Sequence, residues 1–318
     1  MFEAFQIGPF LIRSYIVFLL LGVIVSVELF LRIMQKEGLR MTLFLQKGVW
    51  FIISFLFFGR LFAILLLYRV YLQDPLRTFV IWDGEFSVIG GCIGIVVALF
   101  FCTLRERHTF LAWLDAFIPP MTLLFSLDWF GRFLGALSYG KPTNAPWGVI
   151  LESMSVRYTV PVHPVQLYYA LWFFCLTILL LMFHRRRFAQ RMQMNGNGSG
   201  LGMPTLLGVF LGCVGVLFLE YYRGDFAVTI FAKLTDFVFL GLLFMSMGTL
   251  TVLERKISHR YSLMNGAAVG IGTVAYLLLR PLITVASVEW RFSQFLAVLA
   301  ILATVVYVYA YRWKYPQH

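Results

Sequence analysis

Charge is what this 318-residue chain has least of: only 13% of its residues are Asp, Glu, Lys or Arg, against 60% that are hydrophobic. That balance excludes a soluble globular domain and marks a polytopic membrane protein. The four cysteines (Cys92, Cys102, Cys175 and Cys213) lie within or beside apolar stretches, with no CxxC spacing and no nearby His pair. Disulfides and a zinc site are therefore not expected, and no metal or other cofactor is read from the chain. There is no internal repeat, which sets aside transport through repeat-symmetric broken helices. No small-residue cleavage site follows the full-length first apolar stretch, so a cleaved signal peptide is not expected.

What the chain does have is nine apolar stretches. They are Ser14–Leu31, Gly48–Tyr68, Ser87–Leu104, Phe110–Leu127, Gln166–Phe183, Thr205–Tyr222, Leu234–Leu253, Ala267–Leu279 (continued through Pro281) and Phe292–Tyr311. Continuous apolar runs without period-2 alternation favour helices over an outer-membrane barrel. The expected fold class is all-α: a polytopic transmembrane helical bundle of about nine spans. Lys and Arg gather in alternate gaps, at Arg32/Lys36/Arg40/Lys47, Arg105/Arg107, Arg185/Arg186/Arg187/Arg191 and Arg255/Lys256/Arg260. Positive loops stay cytoplasmic, so the N-terminus is expected outside and the C-terminus inside. The net charge of +11 is thus a topological signal with affinity for anionic lipid headgroups, and it weighs against a nucleic-acid role.

The outward-facing segment from Gly135 to Val165 carries Pro142, Pro146, Pro161 and Pro164. Connections of about thirty residues are seldom plain linkers, so a small folded head or lid is expected there. On the inner side, Met194-Asn-Gly-Asn-Gly-Ser-Gly200 reads as a flexible loop.

A charge at membrane depth costs roughly 2.5–3.5 kcal/mol on insertion scales, so the few that fall in apolar stretches are the functional leads. Arg60 follows Gly59 near the middle of the second stretch, and Arg132 follows Gly131 at the end of the fourth. Guanidinium is permanently charged and forks onto phosphate, which suits a phospholipid headgroup. Asp128, four residues before Arg132, offers the blander explanation of a pair along one helix face. Glu220 and Arg223 stand one turn apart, either as a local ion pair or with Glu220 orienting an arginine. His163, Gln166 and Tyr168 supply donors and acceptors where the fifth stretch opens. Trp82-Asp-Gly-Glu-Phe-Ser-Val-Ile-Gly-Gly91 leads into the third; its glycines serve either an anion-holding turn or close helix packing.

Taken in order, these pieces resemble the bacterial prolipoprotein diacylglyceryl transferases over roughly residues 5 to 255. The similar segments are Phe5-Gln-Ile-Gly-Pro-Phe-Leu-Ile-Arg-Ser-Tyr15, Gly59-Arg60, Asp74-Pro75 through Trp82-Asp-Gly84 to Gly90-Gly91, and Asp115 with Pro119. Further along come Pro146-Trp-Gly148, the run His163-Pro-Val-Gln-Leu-Tyr168, and Glu220 with Arg223. Members of that family move a diacylglyceryl group from phosphatidylglycerol to the lipobox cysteine of a preprolipoprotein, releasing glycerol phosphate. The resemblance implies a seven-span core with a small periplasmic head (residues 1–261, head about 135–165), to which this chain adds a two-span C-terminal extension (262–318). It also implies a multi-pass protein of the bacterial cytoplasmic membrane.

The chain departs from the family at several positions. Ile89 stands where the family carries a histidine. Aligned without gaps from Asp115, the family's signature arginine, asparagine and glutamate fall on Trp129, Arg132 and Leu137. Leu19, Val216 and Tyr169 replace a tyrosine, an arginine and a glutamate. The expected function is that of a divergent transferase using phosphatidylglycerol or a related anionic lipid, with a prolipoprotein signal segment or another acceptor as partner. Arg60, Arg132 and Arg223 would bind lipid phosphate, Glu220 and His163 would be the catalytic candidates, and Tyr15, Asp83, Gly90, Gly91, Gln166 and Tyr168 would line the pocket. The alternative is a non-catalytic paralogue that binds lipid or a lipoprotein signal segment.

Overall fold

A computed structural model of the chain describes residues 4–7, 10–39, 41–66, 71, 86–103, 107–151, 158–193, 202–225, 229–253, 259–283 and 287–314. Among these residues each of the nine apolar stretches is a helix. They are α1 (Ser14–Glu37), α2 (Met41–Leu66), α3 (Val88–Cys102), α4 (Arg107–Leu134), α5 (Val165–Gln193), α6 (Met203–Leu219), α7 (Leu234–Leu253), α8 (His259–Leu279) and α9 (Phe292–Lys314). Five spans are long and apolar enough to cross a membrane, within α1, α2, α4, α5 and α6, while Val88–Cys102, Leu234–Leu243, Gly266–Leu282 and Phe292–Val306 are shorter apolar stretches. The protein is an all-α polytopic membrane protein. Among the described residues two antiparallel ribbons accompany the helices: β1 (Ala4–Ile7) with β2 (Phe10–Arg13), and β3 (Thr229–Lys233) with β4 (Ser287–Arg291).

Several helices outrun the apolar run that predicts them. α1 continues to Glu37 and α5 to Gln193, because a helix needs an apolar face only where something must cover it, and polar residues with good propensity prolong it beyond. Lipid-facing positions leave large apolar side chains uncovered, such as Ile24, Leu45, Val49 and Leu171, each more than half exposed.

The chain divides into two compact units, Met1–Gly208 and Val209–His318. In the first, α4 packs against α1 on one side and α5 on the other, and α2 packs against α3. Its core joins Phe30, Ile33 and Met34 of α1 to Phe51, Ala98, Leu99, Trp113, Ala116 and Phe117. Because lipid tails are as apolar as leucine, helices in a membrane associate through close packing and hydrogen bonds rather than through water exclusion. Both devices are present. A Cβ on Gly90 would stand 2.6 Å from the Phe58 carbonyl oxygen of α2, and one on Gly91 2.5 Å from the Phe55 ring. Ser126 Oγ donates to the Ala170 carbonyl at 2.8 Å, and the Thr122 and Thr177 hydroxyls meet at 2.9 Å, so α4 and α5 are joined by polar contacts at two levels.

Asp115, buried in α4, settles the start of α6. It accepts from Gly202 N at 2.7 Å, from Thr205 N at 3.1 Å and from the Thr205 hydroxyl at 2.7 Å. The first N–H groups of a helix have no partner within it, and a carboxylate there also meets the positive end of the helix dipole. Between α4 and α5 the described part of residues 135–164 has its own small core of Tyr139, Leu151 and Val162, with Val149 and Tyr158 against it. Val149 and Val162 exchange both backbone hydrogen bonds at 3.0 Å.

In the second unit, β3 leads into the α7–α8 hairpin and β4 leads out of it, with Thr229 opposite Arg291 and Lys233 opposite Ser287. The neck of this excursion is closed by Asp236, which accepts from Lys233 N at 2.7 Å, the Tyr276 hydroxyl at 2.6 Å, and Arg280 Nε and Nη2 at 3.0 Å. Arg280-Pro281, which interrupts the eighth apolar stretch, forms a short 3-10 turn there.

Candidate functional site

The end of α4 carries a compact polar arrangement. Arg132 Nε donates to Asp128 Oδ2 at 3.0 Å, one helical turn back, and its guanidinium carbon stands 5.3 Å from the ring centres of both Tyr15 and Trp129. Guanidinium is weakly hydrated and is attracted by the negative face of an aromatic ring, so two rings and one carboxylate hold it part-buried. Trp129 stacks on Tyr169 of α5, centroids 4.1 Å apart and 10° from parallel, which fixes that wall. Asp128 is 3% exposed, and its second oxygen, Oδ1, is buried with no hydrogen-bond partner. The Tyr15 hydroxyl also hydrogen-bonds to this carboxylate.

The opening of α5 supplies the next group. Trp147 Nε1 donates to the Tyr168 hydroxyl at 2.7 Å, and that hydroxyl lies 3.2 Å from His163 Nδ1. Gln166 is fully buried; its Nε2 donates to the Leu137 carbonyl at 3.0 Å, and its Oε1 is buried with no hydrogen-bond partner. Leu137 sits between Ala136 and Ser138, which hold φ of 49° and 58°. The left-handed region costs a non-glycine residue about 1–3 kcal/mol. The strain presents the Leu137 carbonyl to Gln166 at the position where the gap-free reading places the family's glutamate.

Arg60 lies on α2 with its guanidinium carbon 5.2 Å from the Tyr71 ring centre. Gly90 and Gly91 occupy the first turn of α3, against α2, with Ser87 Oγ accepting from Gly90 N at 3.2 Å. Ile89, between Ser87 and Gly90, is 61% exposed. Asp83 lies outside the described residues. The structure brings Tyr15 to Arg132, and His163 to Tyr168.

Glu220 and Arg223 belong to the second unit, in the short 3-10 turn Glu220–Tyr222 after α6 and the residue that caps it. Arg223 forks onto Asp225 (Nε to Oδ1 2.9 Å, Nη2 to Oδ2 2.5 Å) and points Nη1 at Glu220 Oε1, 3.0 Å away. Arg291, at the end of β4, completes the group: its Nη2 donates to the Arg223 carbonyl at 2.6 Å. Asp225 and Arg291 were not among the residues that sequence patterns single out. Asp225 was within reach of the i,i+2 spacing after Arg223, whereas nothing local ties Arg291 to a residue 68 positions earlier.

Comparison with known proteins bears on what these groups serve. The family model described as prolipoprotein diacylglyceryl transferase matches residues 3–310, into the last helix. Phosphatidylglycerol–prolipoprotein diacylglyceryl transferase of Tolumonas auensis is 32% identical over 183 residues, covering 57% of this chain and 69% of that protein. The enzyme of the same name from a Synechocystis species is 27% identical over 172 residues (53% of this chain, 61% of the relative). That from Synechococcus elongatus is 23% identical over 224 residues, 69% of this chain and 76% of the relative. With a match that runs nearly from end to end, the chain belongs to the prolipoprotein diacylglyceryl transferase family.

Proposed function

We propose that the protein transfers a diacylglyceryl group from phosphatidylglycerol to the thiol of a lipobox cysteine, in a bacterial cytoplasmic membrane with its N-terminus periplasmic and its C-terminus cytoplasmic. In the reaction a C–S bond forms to the terminal glyceryl carbon as that carbon's bond to the phosphate oxygen breaks. Glycerol phosphate leaves with the electron pair, and the thiol proton passes to a base. The chain must therefore hold a phosphate whose charge grows as it leaves, and must take one proton.

Arg132 is proposed for the first task, with Arg60 as a second guanidinium of the same unit. Asp128 and the two aromatic rings hold Arg132 in place, and a preorganised cation needs no rearrangement as charge develops. Arg223 offers an anion site in the second unit, with Glu220 positioning it. His163, beside Tyr168, is proposed to take the thiol proton, and Glu220 is the alternative acceptor. Tyr15, Gln166 and Tyr168 shape the mouth through which the acceptor peptide reaches the lipid. The observation that carries this reading is the family match across residues 3–310.

One observation favours a second reading, lipid or signal-segment binding without turnover: Ile89, at the family's histidine position, is a side chain that can move no proton. The experiment that decides is incubation of the purified full chain with phosphatidylglycerol carrying labelled acyl chains and a lipobox peptide. Label on the peptide, lost on Cys→Ser substitution of the peptide, supports transfer. Lipid retained by the protein with the peptide left unmodified supports the binding reading.

A further inference from the structure

The second unit contains two guanidinium groups and two carboxylates in one cluster, and the four are not equally engaged. Arg223 makes four contacts of 3.3 Å or less with Glu220 and Asp225. Arg291 stands behind it. Its Nη1 lies 3.6 Å from Glu220 Oε1 and 3.8 Å from Asp225 Oδ1, and this nitrogen is buried and makes no hydrogen bond. Arg291 is thus close enough to neutralise both acids, and it carries an unused donor aimed at them. Its place is fixed independently of them: Nη2 is bonded to the Arg223 carbonyl, the β3–β4 ribbon sets its register opposite Thr229, and Gln294 Nε2, one turn into α9, donates to the Leu217 carbonyl of α6 at 3.2 Å.

An arginine clamped by two carboxylates cannot also grip a phosphate with the same N–H groups. To do so it must release at least one acid, and a buried carboxylate left without a partner is strongly disfavoured. We propose that Arg291 is a positioning residue that takes over the Glu220 and Asp225 carboxylates when Arg223 turns to a phosphate-bearing anion. The α7–α8 hairpin is then an excursion between two strands, and the chain returns from it to deliver this second cation. The inference rests on the reading that Arg223 serves as an anion site.

The charge count makes the exchange testable. With Arg291 present the cluster is neutral. Without it Arg223 faces two carboxylates alone and is held more tightly. Removing one carboxylate as well restores neutrality and loosens Arg223 again. The experiment measures binding of labelled phosphatidylglycerol to the purified full chain in phosphatidylcholine nanodiscs, with inorganic phosphate as competitor, and follows thermal unfolding alongside. Arg291→Met is expected to weaken binding on the order of tenfold, within the range of ordinary coupling between sites. Arg291→Lys, which keeps the charge and loses the fork, is expected to lie between Arg291→Met and the parent chain. Adding Asp225→Asn to Arg291→Met is expected to restore binding to within about threefold of the parent, since coupling that charge creates is removed with it.

A clamp with only a structural role gives the opposite: Asp225→Asn deepens the loss, because Arg223 forfeits one of its two acceptors on that side chain and the charge behind the other. That result, or no change with Arg291→Met, overturns the proposal. If Arg291→Met fails to fold, Arg291→Gln, which also removes the charge but keeps a polar side chain, carries the same test with and without Asp225→Asn. A chain that shows this variant pattern with inorganic phosphate but binds no phosphatidylglycerol keeps the exchange and loses the lipid reading. A chain that binds neither anion loses both.

Discussion

Arg132 in the first unit and Arg223 in the second each follow a carboxylate within one helical turn, yet they are held in different ways. Arg132 is held through Nε by Asp128 and lies over two aromatic faces. Arg223 has two carboxylates spread over its whole fork, and a second guanidinium stands behind them. Ring faces attract a cation without using up its N–H groups; carboxylates use them. The two sites thus differ in the kind of group that restrains the guanidinium, aromatic faces and one acid in the first and two acids in the second.

The strongest way to break this comparison is Arg132→Ala. Loss of a preorganised donor from a developing anion costs about 10²–10³ in rate, so transfer per folded molecule should fall by that factor, alongside a lower unfolding midpoint because the buried Asp128 loses its partner. A fall in stability alone, with transfer per folded molecule unchanged, would make Arg132 a structural residue like its neighbours. The buried acids sharpen the contrast next. Asp115 spends its charge on backbone N–H groups at the start of α6, whereas Glu220 spends its own on a guanidinium. Asp115→Ala should therefore destabilise the chain by about 2–3 kcal/mol, seen as a lower unfolding midpoint, before any effect on lipid binding.

Arg132→Lys tests the aromatic restraint by itself. The ammonium keeps the charge but loses the planar contact with Tyr15 and Trp129, at about 0.5–1 kcal/mol for each ring. A fall of about tenfold in transfer is expected, measured on the same peptide. The smallest effect is expected at the turn that presents Leu137. Ala136→Gly relieves one left-handed residue but frees the unfolded chain, so the unfolding midpoint should rise by a few degrees at most, corresponding to about 1 kcal/mol. A marked loss of transfer in that variant would show that the strain itself positions Gln166.

The helices were legible in the chain because a run of apolar residues without alternation permits little else in lipid. Their ends were not: Arg185 to Arg191 continue α5 as helix although they end its apolar run. The pairing of Asp128 with Arg132 was visible in its i,i+4 spacing, and the small-residue role of Gly90 and Gly91 in their position at the start of an apolar stretch. Tyr15 and Trp129 as walls for Arg132 were not visible, because they come from different helices or from a face that only packing defines. Asp115 joining residues 202–205, and Arg291 reaching residues 220–225, are contacts across long separations that no local pattern encodes. The departures from the family were plain in the sequence; what fills each vacated place was not, and at Leu137 it is a backbone carbonyl rather than a side chain.

In the proposed reaction Arg132 holds the phosphate of phosphatidylglycerol while a thiol displaces it. Release of glycerol phosphate by the purified chain, measured with phosphatidylglycerol and lipobox peptide supplied together and separately, tests it most directly. Release is expected only when both are present, one glycerol phosphate for each peptide modified, with a loss of about 10²–10³ in Arg132→Ala. Release that continues without the peptide, or at the parent rate in Arg132→Ala, would contradict it.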